Sequence, residues 1–151
     1  MVSEINYKLL NLGLYDFIQN IQNHKKEGIL LYMYLLKQYN DDNYEEFKIV
    51  LSIIINNYYK RENFAILIKS IVRYSILDNK IRYIKYFIKK NIISKRYILT
   101  HCLYYKNFII FNCIMGTVPE QDITKIINML NNKYNLDKNY INSINYTNVQ
   151  L

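Results

Sequence analysis

The 151 residues include only three glycines, one proline and two cysteines, and each shortage removes a class of protein. There is no glycine-rich loop of the kind that wraps a phosphate. Neither a C-x-x-C pair nor an H-E-x-x-H pair occurs, so the usual frames of a redox centre or a zinc hydrolase are missing. No proline- or glycine-rich linker interrupts the chain. Long apolar runs are absent as well: the longest, Ile29 to Leu36 and Ile49 to Ile55, fall far below the roughly 20 residues that span a bilayer. The first twenty residues carry Glu4 and Asp16 and lack a basic start leading into an apolar run, so no signal peptide is expected. Cys102 and Cys113 lie within helical periodicity and read as buried thiols of a reducing compartment rather than as a disulfide. A soluble intracellular protein without a membrane segment is expected.

Ile, Asn, Lys and Tyr make up more than half of the chain, residues of A/T-rich codons and the mark of an A/T-rich genome. Net charge is +8, unevenly spread. Residues 1–60 carry six Lys/Arg against seven Asp/Glu, and residues 117–151 three of each, so residues 61–116, with eleven against two, hold the whole excess.

That basic middle is also the most regular stretch. The turn Asp78-Asn79-Lys80 separates a helix from a second one, Ile81 to Ile88. After a loop, Lys89 to Ser94, the cycle repeats from Tyr97 through Tyr105-Lys106-Asn107 to Phe108 to Met115. Both second helices carry apolar residues at relative positions 1, 4, 7 and 8: Ile81, Ile84, Phe87, Ile88 and Phe108, Phe111, Ile114, Met115. This spacing predicts one buried stripe. The same phrase occurs at Leu14, Phe17, Asn20, Ile21 and at Tyr44, Phe47, Val50, Leu51. Helices this short are marginal alone, so they must stack on neighbours. Between these phrases, Ile29 to Tyr39 predicts a helix stopped by Asn40-Asp41-Asp42-Asn43, with Asp41 or Asp42 capping the next one and Glu45 and Glu46 in its first turn. No strand pattern is present. The expected fold is all-α: short helix-turn-helix repeats over residues 9–116, then a capping helix and polar tail over 117–151, in a single domain.

Catalytic chemistry is hard to place on this chain. His24 sits in a polar loop beside Lys25 and Lys26. His101 precedes Cys102 in a helix, where adjacent side chains point in different directions. The one carboxylate cluster, Asp41, Asp42, Glu45 and Glu46, is accounted for by helix starts. No catalytic residue, metal site or cofactor is expected, and the chain is not expected to be an enzyme. The basic segment is the better lead: Arg82, Lys85 and Lys89 fall on one helix face, with Lys90, Lys95 and Arg96 following and Tyr83, Tyr86 and Tyr97 interleaved.

The phrase from Ser75 to Ile92, Ser-Ile-Leu-Asp-Asn-Lys-Ile-Arg-Tyr-Ile-Lys-Tyr-Phe-Ile-Lys-Lys-Asn-Ile, resembles an ankyrin repeat of the degenerate kind found in multigene families of large DNA viruses, including poxviruses. The resemblance implies an ankyrin-like solenoid, with Ser75 and Cys102 as the small residues of the inner helices. The family's T-P-L-H phrase and its loop glycines are absent, which leaves the hairpin fingers open. After Gly116, Val118-Pro119, Ile123, Ile126-Ile127 and Leu130 are similar to the start of an F-box, the helix by which adaptors dock on a cullin ubiquitin ligase. A capping helix is the plainer reading of the same residues, with Pro119, Glu120 and Asp122 as ordinary helix-start residues.

The resemblance implies a host-modulating viral protein of the host cytoplasm or nucleus that binds a host protein; the charge of the basic segment points to an acidic partner and to contact through Arg82, Lys85, Lys89, Lys95 and Arg96. Two alternatives stay open. One is a compact bundle of the viral Bcl type that binds a helical peptide, with Glu62 to Leu77 as its central helix. The other, less favoured, is a nucleic-acid binder that sets cations against phosphates and tyrosines against bases.

Overall fold

In the computed structural model, which describes residues 4–58 and 62–134, helices are the only regular elements found among the described residues. The polar tail from Asn139 lies outside them. The chain divides into two compact units, Met1–Ile71 and Val72–Leu151. The first contains α1 (Glu4–Leu10), α2 (Leu14–Ile21), α3 (Glu27–Asn40) and α4 (Tyr44–Tyr58). Helix α5 (Glu62–Leu77) runs through the division, and the second unit continues with α6 (Ile81–Lys89), α7 (Lys95–Tyr104), α8 (Phe108–Met115) and α9 (Glu120–Tyr134).

The recurrent phrase marks helix starts to the residue: Leu14, Tyr44, Ile81 and Phe108 each open a helix. Its fourth position is fully buried every time, in Phe17, Phe47, Ile84 and Phe111. Its first position is buried in none of the four, and Phe108 is 42% exposed. The first residue of a helix stands at its rim, where only half of the surroundings is protein. The fourth has turned about 300° at 100° per residue and stands one turn deep.

The two units use the phrase differently. In α2 only Phe17 and Ile21 are buried, and Phe17 stacks flat on Tyr34 of α3, ring centroids 3.9 Å apart. Tyr34 in turn donates its hydroxyl to the Leu12 carbonyl at 2.9 Å, tying α3 to the link before α2. In α6 the buried residues are Tyr83, Ile84, Tyr86 and Phe87, and in α8 they include Ile110, Phe111, Cys113 and Ile114. Positions 3, 4, 6 and 7 are buried in both, a face wider than the expected stripe, while position 8 is buried in α8, as Met115, and half-buried in α6, as Ile88.

The turns between paired helices share one backbone pattern. Asp42, Asn79 and Lys106 all have positive φ, at 58°, 56° and 58°. Around each, the following residue's N–H bonds to the carbonyl five residues back: Asn43 to Gln38, Lys80 to Ser75 and Asn107 to Cys102, at 2.8 to 2.9 Å. The positive-φ residue bonds three back, to Tyr39, Ile76 and Leu103. This is the Schellman stop of an α-helix, in which a left-handed residue lets the chain satisfy the last carbonyls and reverse. The end of α6 repeats it at Asn91. No described glycine has positive φ. Asn and Asp tolerate the left-handed region through local polar contacts, whereas Lys106 does so only with strain. Asp41 and Asp42, expected as caps, are instead the turn itself: Asp41 pairs with Lys37 at 2.7 Å, and Asn43 is the residue before α4.

The residues that accept the five-back bond, Gln38, Ser75 and Cys102, are all buried beneath their turns. Ser75 and Cys102 fit by being small, and Gln38 by accepting a bond from the Asn43 amide at 2.9 Å. In the second unit neighbouring turns are joined directly. Asn107 caps α8 by accepting from the Ile110 N–H at 3.0 Å, and its amide donates to the Ile76 carbonyl at 2.7 Å and to Asn79 at 3.3 Å.

Two substitutions separate these effects. Lys106→Gly should raise stability by roughly 0.5–1 kcal/mol, since it removes a left-handed penalty of about 1–2 kcal/mol and adds a smaller backbone entropy cost. Asn107→Ala should lower it by about 1–2 kcal/mol through loss of the cap and the inter-turn bond. Urea denaturation of both variants is the check, and a destabilising Lys106→Gly would refute the strained-turn account.

Candidate interaction face

Helix α6 sets the geometry of the basic segment. With Tyr83, Ile84, Tyr86 and Phe87 turned inward, the arc left over at 100° per residue holds positions 2, 5 and 9, which are Arg82, Lys85 and Lys89. All three are exposed. The face expected from the sequence is therefore present along the length of α6.

The loop after α6 extends it. Lys90 is exposed, with its ammonium 5.7 Å from the Tyr86 ring. Asn91 turns the chain, and Ser94 caps α7 by accepting from the Tyr97 N–H at 3.1 Å. Lys95 and Arg96 are then the first two residues of α7. Two cations there face the positive end of the helix dipole, an unfavourable placement. By contrast α4 and α9 carry acids in their first turns, Glu45 and Glu46, and Glu120 and Asp122. Lys95 is half-buried and donates to the Thr117 carbonyl at 3.2 Å, while Arg96 is exposed. The cations of α6, its loop and the start of α7 thus form one positive edge; the α6 C-terminus favours Lys89 and Lys90, whereas Lys95 and Arg96 oppose the dipole of the helix they begin. The loop, residues 90–94, holds no strand and is too short for a hairpin finger.

The interleaved tyrosines are not where base stacking needs them. Tyr83 and Tyr86 are buried in the core, and Tyr97 is half-buried with its ring 4.0 Å from that of His101. Sequence spacing missed this because the buried face of α6 is wider than a single stripe.

The F-box-like residues are split. Val118 and Ile127 are buried, Ile123 and Ile126 are half-buried and Pro119 is exposed. The side chain of Leu130 lies outside the described residues. Within α9, Ile127 is the one of these residues that is buried among the described side chains.

In the first unit an open cleft of about 370 Å³ is lined by residues including Leu12, Gly13, Tyr34, Gln38 and Glu46. The Tyr34 and Gln38 side chains already hold neighbouring turns. Among the described residues, no three His, Cys, Asp or Glu side chains come together as metal ligands, and no helix is long and apolar enough to cross a membrane.

Cys102 is fully buried, and burial pushes its thiol up to about 12. His101 lies beside it in sequence, but its ring Nδ1 is 2.9 Å from the Tyr97 carbonyl one turn back. No protein-family model matches this chain, and no curated protein and no solved structure matches it.

The raised thiol carries a pH prediction. The fold retains a proton that an exposed thiol gives up near pH 8.5, so the stability involved is complete below that pH and is lost as pH rises towards 12. Tyr34, raised by burial and then by Glu46, and Tyr97, raised by burial against the pull of Arg73, add to the loss at the alkaline end. In a Cys113→Ala background, iodoacetamide at pH 8 should modify native Cys102 at least about a thousandfold more slowly than in urea, as its thiolate fraction requires. Comparable rates would mean that the thiol is accessible and ionised.

Proposed function

We propose that this chain is a non-enzymatic protein–protein interaction module, an ankyrin-like helical repeat protein of a large, A/T-rich DNA virus of poxvirus type. It acts inside the host cell by binding an acidic surface of a host protein. The observation that carries this reading is the repetition of one turn, at Asp42, Asn79 and Lys106, between paired helices. Asn107 also bonds one turn to the next, as stacked repeats require. Repeat arrays bind proteins along continuous exposed surfaces. Here the surface of one dominant charge is the positive edge of Arg82, Lys85, Lys89, Lys95 and Arg96. The viral assignment rests on the resemblance of Ser75 to Ile92 and on the codon-biased composition.

The rival readings draw less support. A Bcl-type bundle needs a central helix covered all round, but α5 leaves Ile66, Tyr74 and Leu77 exposed. A nucleic-acid binder of this design needs the tyrosines that α6 buries. Docking on a cullin-ligase subunit through Val118 to Leu130 would use two residues that the protein itself covers, Val118 and Ile127.

The test is affinity capture from host-cell lysate, comparing the intact chain with a variant carrying Arg82→Glu, Lys85→Glu and Lys89→Glu. A partner identified by mass spectrometry should be enriched at least tenfold on the intact protein and lost from the variant. Equal capture by both would remove the basic face from the account. A cullin-ligase subunit held by both would move the contact to α9.

A further inference from the structure

The second unit has another unexplained surface, at the end of its hairpins away from the basic loop. The bond from the Asn107 amide to the Ile76 carbonyl, at 2.7 Å, brings two turns side by side. Leu77, Tyr104, Phe108 and Ile109 each lie within three residues of one end of that bond, and consecutive Cα atoms are only 3.8 Å apart. All four therefore stand at this end of the unit, and they are 55%, 68%, 42% and 65% exposed. Scattered exposed apolar residues are ordinary, whereas a group at one place marks a contact site. The turn does not need them: its geometry is met by Asn79, Lys106 and Asn107. The charged residues of these two turns are Lys80 and Lys106 against Asp78.

Resting on the interaction-module reading, we propose that this turn end docks an acidic amphipathic peptide segment. Its apolar side chains cover Leu77, Tyr104, Phe108 and Ile109, and its carboxylates face Lys80 and Lys106. A second copy of this chain fits less well, because a two-fold contact would set the same cations against one another. An amphipathic helix supplies what the surface asks for, with apolar residues on one face and acids flanking them. Helix α6 spans nine residues, so this site and the basic loop are separated by about 13 Å of helix at 1.5 Å per residue and can be tested apart.

The probe is a labelled peptide of about 18 residues with Leu at i, i+3, i+4 and i+7 and Glu elsewhere, beside a counterpart with Lys in place of Glu. Fluorescence anisotropy with the full chain should give at least tenfold tighter binding of the acidic peptide. The double variant Tyr104→Ser, Ile109→Ser should weaken it at least tenfold with an unchanged melting temperature, since both residues are exposed. Lys89→Glu with Lys90→Glu, at the far end, should leave it within twofold. Equal affinity for the two peptides, no response to the double variant, or a dimer in light scattering that the double variant dissolves would each overturn the proposal. Failure here with a host partner still captured through α6 sinks this site alone. Peptide binding with no host partner captured sinks the basic-face reading alone.

Discussion

Each paired helix in this protein has to stop and reverse within three residues, and the backbone conformation that allows this is the left-handed one at Asp42, Asn79 and Lys106. The other features of the repeat depend on it. The reversal brings the N–H two residues past the helix cap back onto the helix it has just left, so the residue beneath must be small or must hydrogen-bond in return. Gln38, Ser75 and Cys102 meet that demand in different ways. It also fixes where the next helix starts, and so which of its residues stands one turn deep in the core. Phe47, Ile84 and Phe111 share that depth although the spacing between their phrases varies in the sequence.

Glycine would be the easy residue at such turns, and the chain uses none of its described glycines there. Asn and Asp reach the left-handed region at modest cost, which suits a composition rich in asparagine. Lys106 is the exception. Its neighbour Asn107 offsets the strain by capping α8 and by binding the adjacent turn, so one polar side chain both starts a helix and joins its turn to the previous one. Both roles put that amide where a plain helix cap would not, against a carbonyl 31 residues earlier in the chain.

The second unit carries charge and exposed apolar surface at separate places, and helix ends account for only part of the charge, Lys89 and Lys90 at the end of α6. Lys95 and Arg96 oppose the dipole of the helix they begin. Leu77, Tyr104, Phe108 and Ile109 gain nothing by facing water. Local choices that work against stability are expected where a protein meets a partner. The buried thiol of Cys102 belongs to the other category: it fills space under a turn, and its burial keeps it protonated and inert.

Helix identity, the two turns at Asp78-Asn79-Lys80 and Tyr105-Lys106-Asn107, and the exposed row Arg82, Lys85, Lys89 were all legible in the sequence. They depend on local periodicity and on residues adjacent in the chain. The sequence did not reveal which neighbours would cover α6 and α8. Its apolar spacing predicted a narrow stripe with Ile81 and Ile88 inside and Tyr83 and Tyr86 available to bases, whereas packing on more than one side drew both tyrosines into the core. A tyrosine scores as neither apolar nor polar in a periodic pattern, so its place is decided by what packs against it. The same holds for Asn107, whose type announces a cap but whose second bond depends on a turn brought beside it by tertiary structure. It holds too for Val118 and Ile127, whose spacing resembles a docking helix until packing covers them. Chain-local physics determined the helices and their stops, and contacts between helices decided which faces stayed exposed.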